Sequence, residues 1–143
     1  MGKRRTGKKR RETLPEKLVR HARVVMHVLG TGHSERVYHK AVITSLNREL
    51  VPHRSEVITP IHFMGEIVGF GRCDLIVGNQ VVEFKANARR PSKASPQLQK
   101  YLESLSRSKR AQYRGMVVNF NQRSGLIDVH SERLAKPKKK TSC

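Results

Sequence analysis

With 143 residues, 36% of them apolar, 5% aromatic and no Trp, the chain suits one domain with one modest core. No apolar run is long enough to cross a bilayer, and the basic N-terminus leads into a polar stretch rather than the apolar stretch of a secretory signal. Neither a membrane span nor secretion is therefore expected. Cys73 and Cys143 make neither a disulfide framework nor a CxxC zinc pattern, which fits a reducing interior.

Charge is the strongest global signal: thirty Lys and Arg against eleven Asp and Glu give a formal +19. Lys3, Arg4, Arg5, Lys8, Lys9, Arg10 and Arg11 crowd the first eleven residues without an acid, and Arg133, Lys136, Lys138, Lys139 and Lys140 do the same at the other end. Without the two ends the body still carries about +7. Such a surplus favours polyanions through counterion release, with little dependence on sequence. Neither end has the apolar face of an interfacial helix, so phosphate rather than membrane is the expected partner.

Thr13-Leu14-Pro15-Glu16 reads as a capping box with Pro in the first turn, and Leu18, Ala22, Val25, Met26 and Leu29 follow at helical spacing. Gly30-Thr31-Gly32 ends that helix. A second helix is expected from Ser34 to about Leu50, burying Val37, Tyr38, Ala41, Val42 and Leu46, with Pro52 as its stop. Glu56–Phe63 then alternates and is rich in β-branched residues, and Pro60 places it at a sheet edge. Met64-Gly65-Glu66 turns into a second strand, Ile67–Val77, where Gly69 and Gly71 predict a bend or bulge. Gly78-Asn79 is a second tight turn before a third strand, Gln80–Lys85.

The basic stretch Ala86–Pro96 reads as a loop, and Ser95–Ser106 as a Ser-capped helix with Leu98, Tyr101, Leu102 and Leu105 on one face. Gly115–Phe120 is a nearly continuous apolar strand, expected to be buried on both faces, and Leu126–His130 adds a last strand. The resulting class is α/β in the broad sense (α+β): a mixed β-sheet flanked by helices, in the order α-α-β-β-β-α-β-β. The expected domain spans 13–131, between a basic N-terminal tail, 1–12, and a basic C-terminal tail, 132–143.

Asp74, Glu83 and Lys85 are the residues that point to chemistry. Glu83 and Lys85, two apart on a strand, share a face, and symmetric pairing about Gly78-Asn79 sets Asp74 opposite Glu83. Two facing carboxylates repel each other unless a cation lies between them. Hard oxygen donors of this kind suit Mg²⁺ (or Mn²⁺), which keeps waters and takes phosphate oxygens as its other ligands. A lysine one step along can orient water and offset charge developing on a phosphate. Taken alone, the same spacing also describes a solvated strand face with a salt bridge. The histidines (His21, His27, His33, His39, His53, His62 and His130) show no zinc spacing, although His33 lies near Glu35.

Two further segments extend the pattern: Gly32-His33-Ser34-Glu35-Arg36-Val37-Tyr38 and Gln97-Leu98-Gln99-Lys100-Tyr101-Leu102. With the "CDLIV" strand of Asp74, the "VVEFK" strand of Glu83 and Lys85 and the "VVNF" strand at 117–120, they make five motifs in order over roughly 16–130. In these the sequence resembles the GxxExxY proteins, a branch of the PD-(D/E)XK nucleases. The resemblance implies a restriction-endonuclease-like core, Asp74 and Glu83 as metal ligands and Lys85 as the catalytic lysine. It further implies Glu35 as an additional acidic residue facing the metal and Gln97 as a polar support. Two departures stand out: the basic tails, and Phe84 where the branch has Leu, a position expected to point away from the site.

A metal-dependent nuclease acting on DNA, or on RNA, is the expected function. Arg89, Arg90, Lys93, Lys109 and Arg110 would flank the site as phosphate contacts, alongside the tail residues named above. The competing expectation is a catalytically silent protein that keeps the fold to bind or package nucleic acid, with protein partners, in a nucleoprotein assembly or virion. Either way the chain is expected to be intracellular and nucleic-acid-associated, in a nucleus, nucleoid or virion. No feature marks an oligomeric interface, and a dimer is compatible with the resemblance.

Overall fold

The computed structural model describes residues 7, 9–108 and 112–133. Among these the element order is α1 (Leu14–Leu29), α2 (Glu35–Arg48), β1 (Arg54–Phe63), β2 (Glu66–Val77), β3 (Gln80–Lys85), α3 (Pro96–Ser108), β4 (Arg114–Phe120) and β5 (Ile127–Glu132). The expected mixed sheet flanked by helices is present. Its strands lie in the order β1-β2-β3-β4-β5, antiparallel except for β3 and β4, which run parallel because α3 carries the chain back between them.

Each face of the sheet has its own core. On one side Leu18, Ala22, Val25 and Met26 of α1 and Tyr38, Val42 and Leu46 of α2 pack on Leu75, Val82, Phe84, Met116, Val118 and Phe120. On the other, Leu98, Tyr101, Leu102 and Leu105 of α3 pack on Cys73, Ile76, Val81 and Val117. β4 sits between both, which is why its apolar run is nearly continuous, interrupted by Asn119.

α1 starts as read: Thr13 accepts from the Glu16 amide, and the Glu16 carboxylate accepts from the Thr13 amide. The two helices are tied by charge as well as packing. Arg20 donates to Glu12 at 2.8 Å and to Glu49 at 2.9 Å, while the buried His21 ring bonds Ser45 at 2.6 Å and also meets Glu49. Hydrogen bonding from Arg20 holds the Glu49 carboxyl below its usual range.

Two expectations need correction. Val37 is 40% exposed, so the inward stripe of α2 is Tyr38, Val42 and Leu46, with Ala41 half-buried against the same core. Val37 precedes Tyr38 by one residue, which on a helix turns it about 100° away from that stripe. The bulge in the β1–β2 ribbon falls at Val68, because Ile61 pairs with Gly69 and His62 with Ile67. Gly71 serves α3 instead: a Cβ there would lie 3.1 Å from the Tyr101 hydroxyl. Pro60 does lie on an edge strand, and Met64 and Gly65 make the tight turn with φ of +50° and +82°. No helix among the described residues is long and apolar enough to cross a membrane.

Candidate active site

β2 and β3 pair at Leu75↔Val82, Ile76↔Val81 and Val77↔Gln80, in the register that symmetric folding about Gly78-Asn79 predicts. The ladder stops there, one step short of Asp74 and Glu83. The two carboxylates are therefore not paired neighbours. Asp74 instead accepts a hydrogen bond from the Phe84 amide at 2.9 Å, so its side chain takes the place of a strand carbonyl. Cys73 belongs to the α3 core and Leu75 to the α1–α2 core, so the alternation of faces slips at Asp74. Directly across, Glu56 adopts a φ of +51°, the left-handed region that few side chains enter. The strand pair opens at this slip.

Glu83 and Lys85 share the α3 face of β3, as their spacing requires. Glu83 accepts from the Ser95 amide at 3.4 Å, and its other oxygen lies 3.6 Å from the Lys85 ammonium. Phe84 points into the opposite core, beside His39 and Phe120. Gln97, in the first turn of α3, donates to the Arg72 carbonyl at 3.2 Å, and Ser95 caps that helix through the Leu98 amide at 3.1 Å.

Glu35 is the first residue of α2, and it is exposed. What fixes the start of α2 is Tyr38, fully buried and stacked on Phe120 with ring centres 4.3 Å apart. Its hydroxyl donates to the Gly30 carbonyl at 2.7 Å. Gln122 completes the clasp, donating to the Tyr38 hydroxyl at 3.1 Å and accepting from the Gly32 amide at 2.7 Å. Gly32 sits at a φ of +96°, where a side chain would be strained. The Gly and Tyr of the Gly32–Tyr38 segment thus position its Glu.

The five expected catalytic side chains come together. Glu35, Asp74, Glu83, Lys85 and Gln97 all line one cleft of about 170 Å³. An adjoining hollow of about 450 Å³ is lined by Glu35, Arg36, His39, Glu56, Arg72 and Asp74. Arg72 and Glu56, 3.8 Å apart, are the wall residues that the strand patterns did not single out. Among the described residues no three His, Cys, Asp or Glu side chains close into a ready-made metal cage. The donors present at the cleft, three carboxylates, fit a hard divalent cation that takes its remaining ligands from water and phosphate. Cys73 offers no soft ligand or nucleophile: burial pushes its thiol up to about 12.

Behind Lys85 the loop is pinned. Asn119, which pairs with Lys85 across β3–β4, is fully buried. It accepts from the Asn87 amide at 2.8 Å and donates to the carbonyls of Asn87 and Arg89 at 3.2 Å and to Asp128 at 3.0 Å. Asn119→Ala removes this set of bonds, leaving Asp128 with Asn121 as its remaining amide donor, at a cost of about 1–3 kcal/mol. Urea unfolding should show that loss, and hydrogen exchange should quicken at the Asn87 amide; unchanged exchange there would rule out the pin. Further along, Glu132 accepts from the Ala94 amide at 3.0 Å and pairs with His130 at 2.8 Å, and these bonds lower its pKa.

Arg89, Arg90 and Lys93 are exposed on this held loop, and Lys9, Arg10 and Arg11 are exposed before α1, Arg10 pairing with Glu16. Lys3, Arg4, Arg5, Lys8, Lys109, Arg110, Lys138, Lys139 and Lys140 lie outside the described residues. His33 bonds the Leu29 carbonyl at 3.1 Å and meets Tyr38 edge-on, a structural role.

A family model described as the PD-(D/E)XK nuclease superfamily matches residues 12–132. No curated protein matches. Among solved structures, the protein of "Crystal structure of SSO0001" is 24% identical, with a TM-score of 0.49. The match covers 71% of this chain and 51% of that one, so this chain spans about half the length of that relative.

Proposed function

For a chain that belongs to the PD-(D/E)XK nuclease superfamily, we propose a divalent-metal-dependent nuclease that hydrolyses phosphodiester bonds of DNA or RNA, and we place it in the GxxExxY branch. The observation that carries this reading is the single cleft shared by Glu35, Asp74, Glu83, Lys85 and Gln97, which come from α2, β2, β3 and α3. Asp74 and Glu83, with Glu35, are the groups to hold Mg²⁺ or Mn²⁺. Bound there, the cation supplies Lewis-acid polarisation of a phosphoryl oxygen.

The chain's own residues do the rest. Lys85, beside Glu83, presents an ammonium that orients water and offsets charge arising on the phosphate. Gln97, by holding the Arg72 carbonyl, keeps the opened end of β2 against α3. Arg89, Arg90 and Lys93 are assigned to the phosphates flanking the scissile one, and the basic stretches 1–12 and 132–143 to sequence-independent backbone binding around a domain of 13–131.

The test is an incubation of the pure protein with supercoiled, linear and single-stranded DNA and with RNA, in Mg²⁺, Mn²⁺ or EDTA, beside an Asp74→Ala/Lys85→Ala control. Metal-dependent cleavage absent from the control is the expected result. Cleavage that persists in the control, or salt-sensitive binding without cleavage in any metal, overturns it. The second outcome would leave a protein that keeps this fold to hold nucleic acid.

A further inference from the structure

A second groove, of about 240 Å³, shares Gln97 and Tyr101 with the carboxylate cleft and is completed by Thr59, Ile61, Phe70, Gly71 and Lys100. Its character differs from that of the cleft. Its walls include the side chains of Phe70 and Ile61 and the bare backbone of Gly71, and no carboxylate lines it. The Gly71 position is open by necessity, since a Cβ there would press on the Tyr101 hydroxyl.

Tyr101, 4% exposed, is the floor of the groove, and its hydroxyl lies enclosed beside the Gln97 side chain. The walls that a ligand can reach are Phe70, 69% exposed, and Ile61, 42% exposed, two apolar side chains that nothing among the described residues covers. Lys100, exposed at the rim, adds a positive charge.

We infer that this groove receives one unpaired nucleobase of the nucleic acid whose phosphate enters the adjoining cleft. The inference rests on the nuclease reading for its neighbouring phosphate and adds a substrate class: strands with unstacked bases, such as single strands, loops or junction arms. Size agrees. A dry cavity of about 150 Å³ holds a benzene ring, so about 240 Å³ has room for a pyrimidine or purine. The chemistry agrees as well: a base offers a flat apolar face to the exposed Phe70 ring and Ile61, and a polar edge to the Gln97 amide and the Lys100 ammonium. A base held in a duplex has that edge already paired and its faces already stacked, and cannot enter.

The experiment measures binding, so it does not depend on cleavage. The full chain carrying Asp74→Asn is titrated, in EDTA and at one fixed salt concentration, with a fluorescent single-stranded DNA, its RNA counterpart, the matching duplex, and a series in which one abasic position moves along the single strand. The expected result is tighter binding of a single strand than of the duplex, and about a tenfold loss when the abasic position occupies one particular register. Thr59→Trp, which fills the groove, is expected to abolish that register-specific loss while melting as the parent does. Affinity indifferent to every abasic position overturns the groove assignment, even if the unsubstituted protein cleaves DNA. A register-specific loss in a protein that cleaves nothing upholds the groove and overturns the nuclease reading.

Discussion

Lys85→Ala is expected to slow metal-dependent strand cleavage by about 10²–10³-fold while leaving the metal concentration at half-maximal rate where it was. The magnitude is that of removing one preorganised donor aimed at charge developing in a transition state. The second half of the expectation follows from position: Lys85 lies 3.6 Å from Glu83, whose carboxylate also accepts from the Ser95 amide and so keeps its place without the lysine. Asp74→Asn should fall at least as far in rate and should also shift the metal dependence to higher concentration, because it removes charge from the proposed ligand set. Initial rates across a metal titration, on variants with matching thermal melts, separate the two. Equal shifts in metal dependence for both variants would place Lys85 among the metal-binding groups and remove its assigned role. A Lys85→Ala protein as fast as the parent would remove the lysine from the chemistry altogether.

Phe120→Ala is expected to destabilise the fold by about 3–5 kcal/mol, the range for deleting a buried aromatic ring. Phe120 is fully buried, stacks on Tyr38 and lies 6.1 Å from Phe84, so the cavity would open under both the α2 start and the strand of Glu83 and Lys85. That is a large part of the 5–15 kcal/mol that keeps a domain folded. Tyr38→Phe keeps the ring and loses only the hydroxyl's bonds to Gly30 and Gln122, so it should cost about 1 kcal/mol. Urea unfolding of the pair measures both. A Phe120→Ala loss below that of Tyr38→Phe would mean that the ring stack is not what anchors α2.

Periodicity and turn chemistry made most of the fold legible. The capping box of α1, the turn at Gly78 and the nearly continuous apolar run of β4 are local signals, and each was sufficient for its element. The register of β2 on β3 was legible too, because a two-residue turn fixes it. Where that ladder ends was not. The opening at Asp74 depends on a slip in side-chain alternation shared with Glu56 on another strand, and on a carboxylate that replaces a strand carbonyl at the Phe84 amide. Neither leaves a local mark.

The candidate site divides along the same line. Glu83 and Lys85 announce themselves by spacing, and Glu35 and Gln97 by the motifs around them. Arg72 could have been suspected as a charged residue two before Asp74 in a strand otherwise turning apolar. Asn119 and Glu132 could not: their roles come from buried bonds to a loop more than thirty residues earlier in the chain.

The parallel pairing of β3 and β4 bears on when the protein can first act during its own synthesis. Glu35, Asp74, Glu83 and Lys85 are all made before α3, yet β3 gains its second neighbour only when Arg114–Phe120 has emerged. Until then the strand carrying Glu83 and Lys85 is an open edge, Asn119 is not there to fasten the loop behind it, and Phe120 is not there to seat Tyr38. A ribosome-bound chain ending short of β4 would hold nearly every reactive group without the frame that gathers them. Pairings that join distant parts of a chain form late and together. In such a molecule the proposed ability to cut would switch on once, when β4 is in place, rather than grow as the chain lengthens.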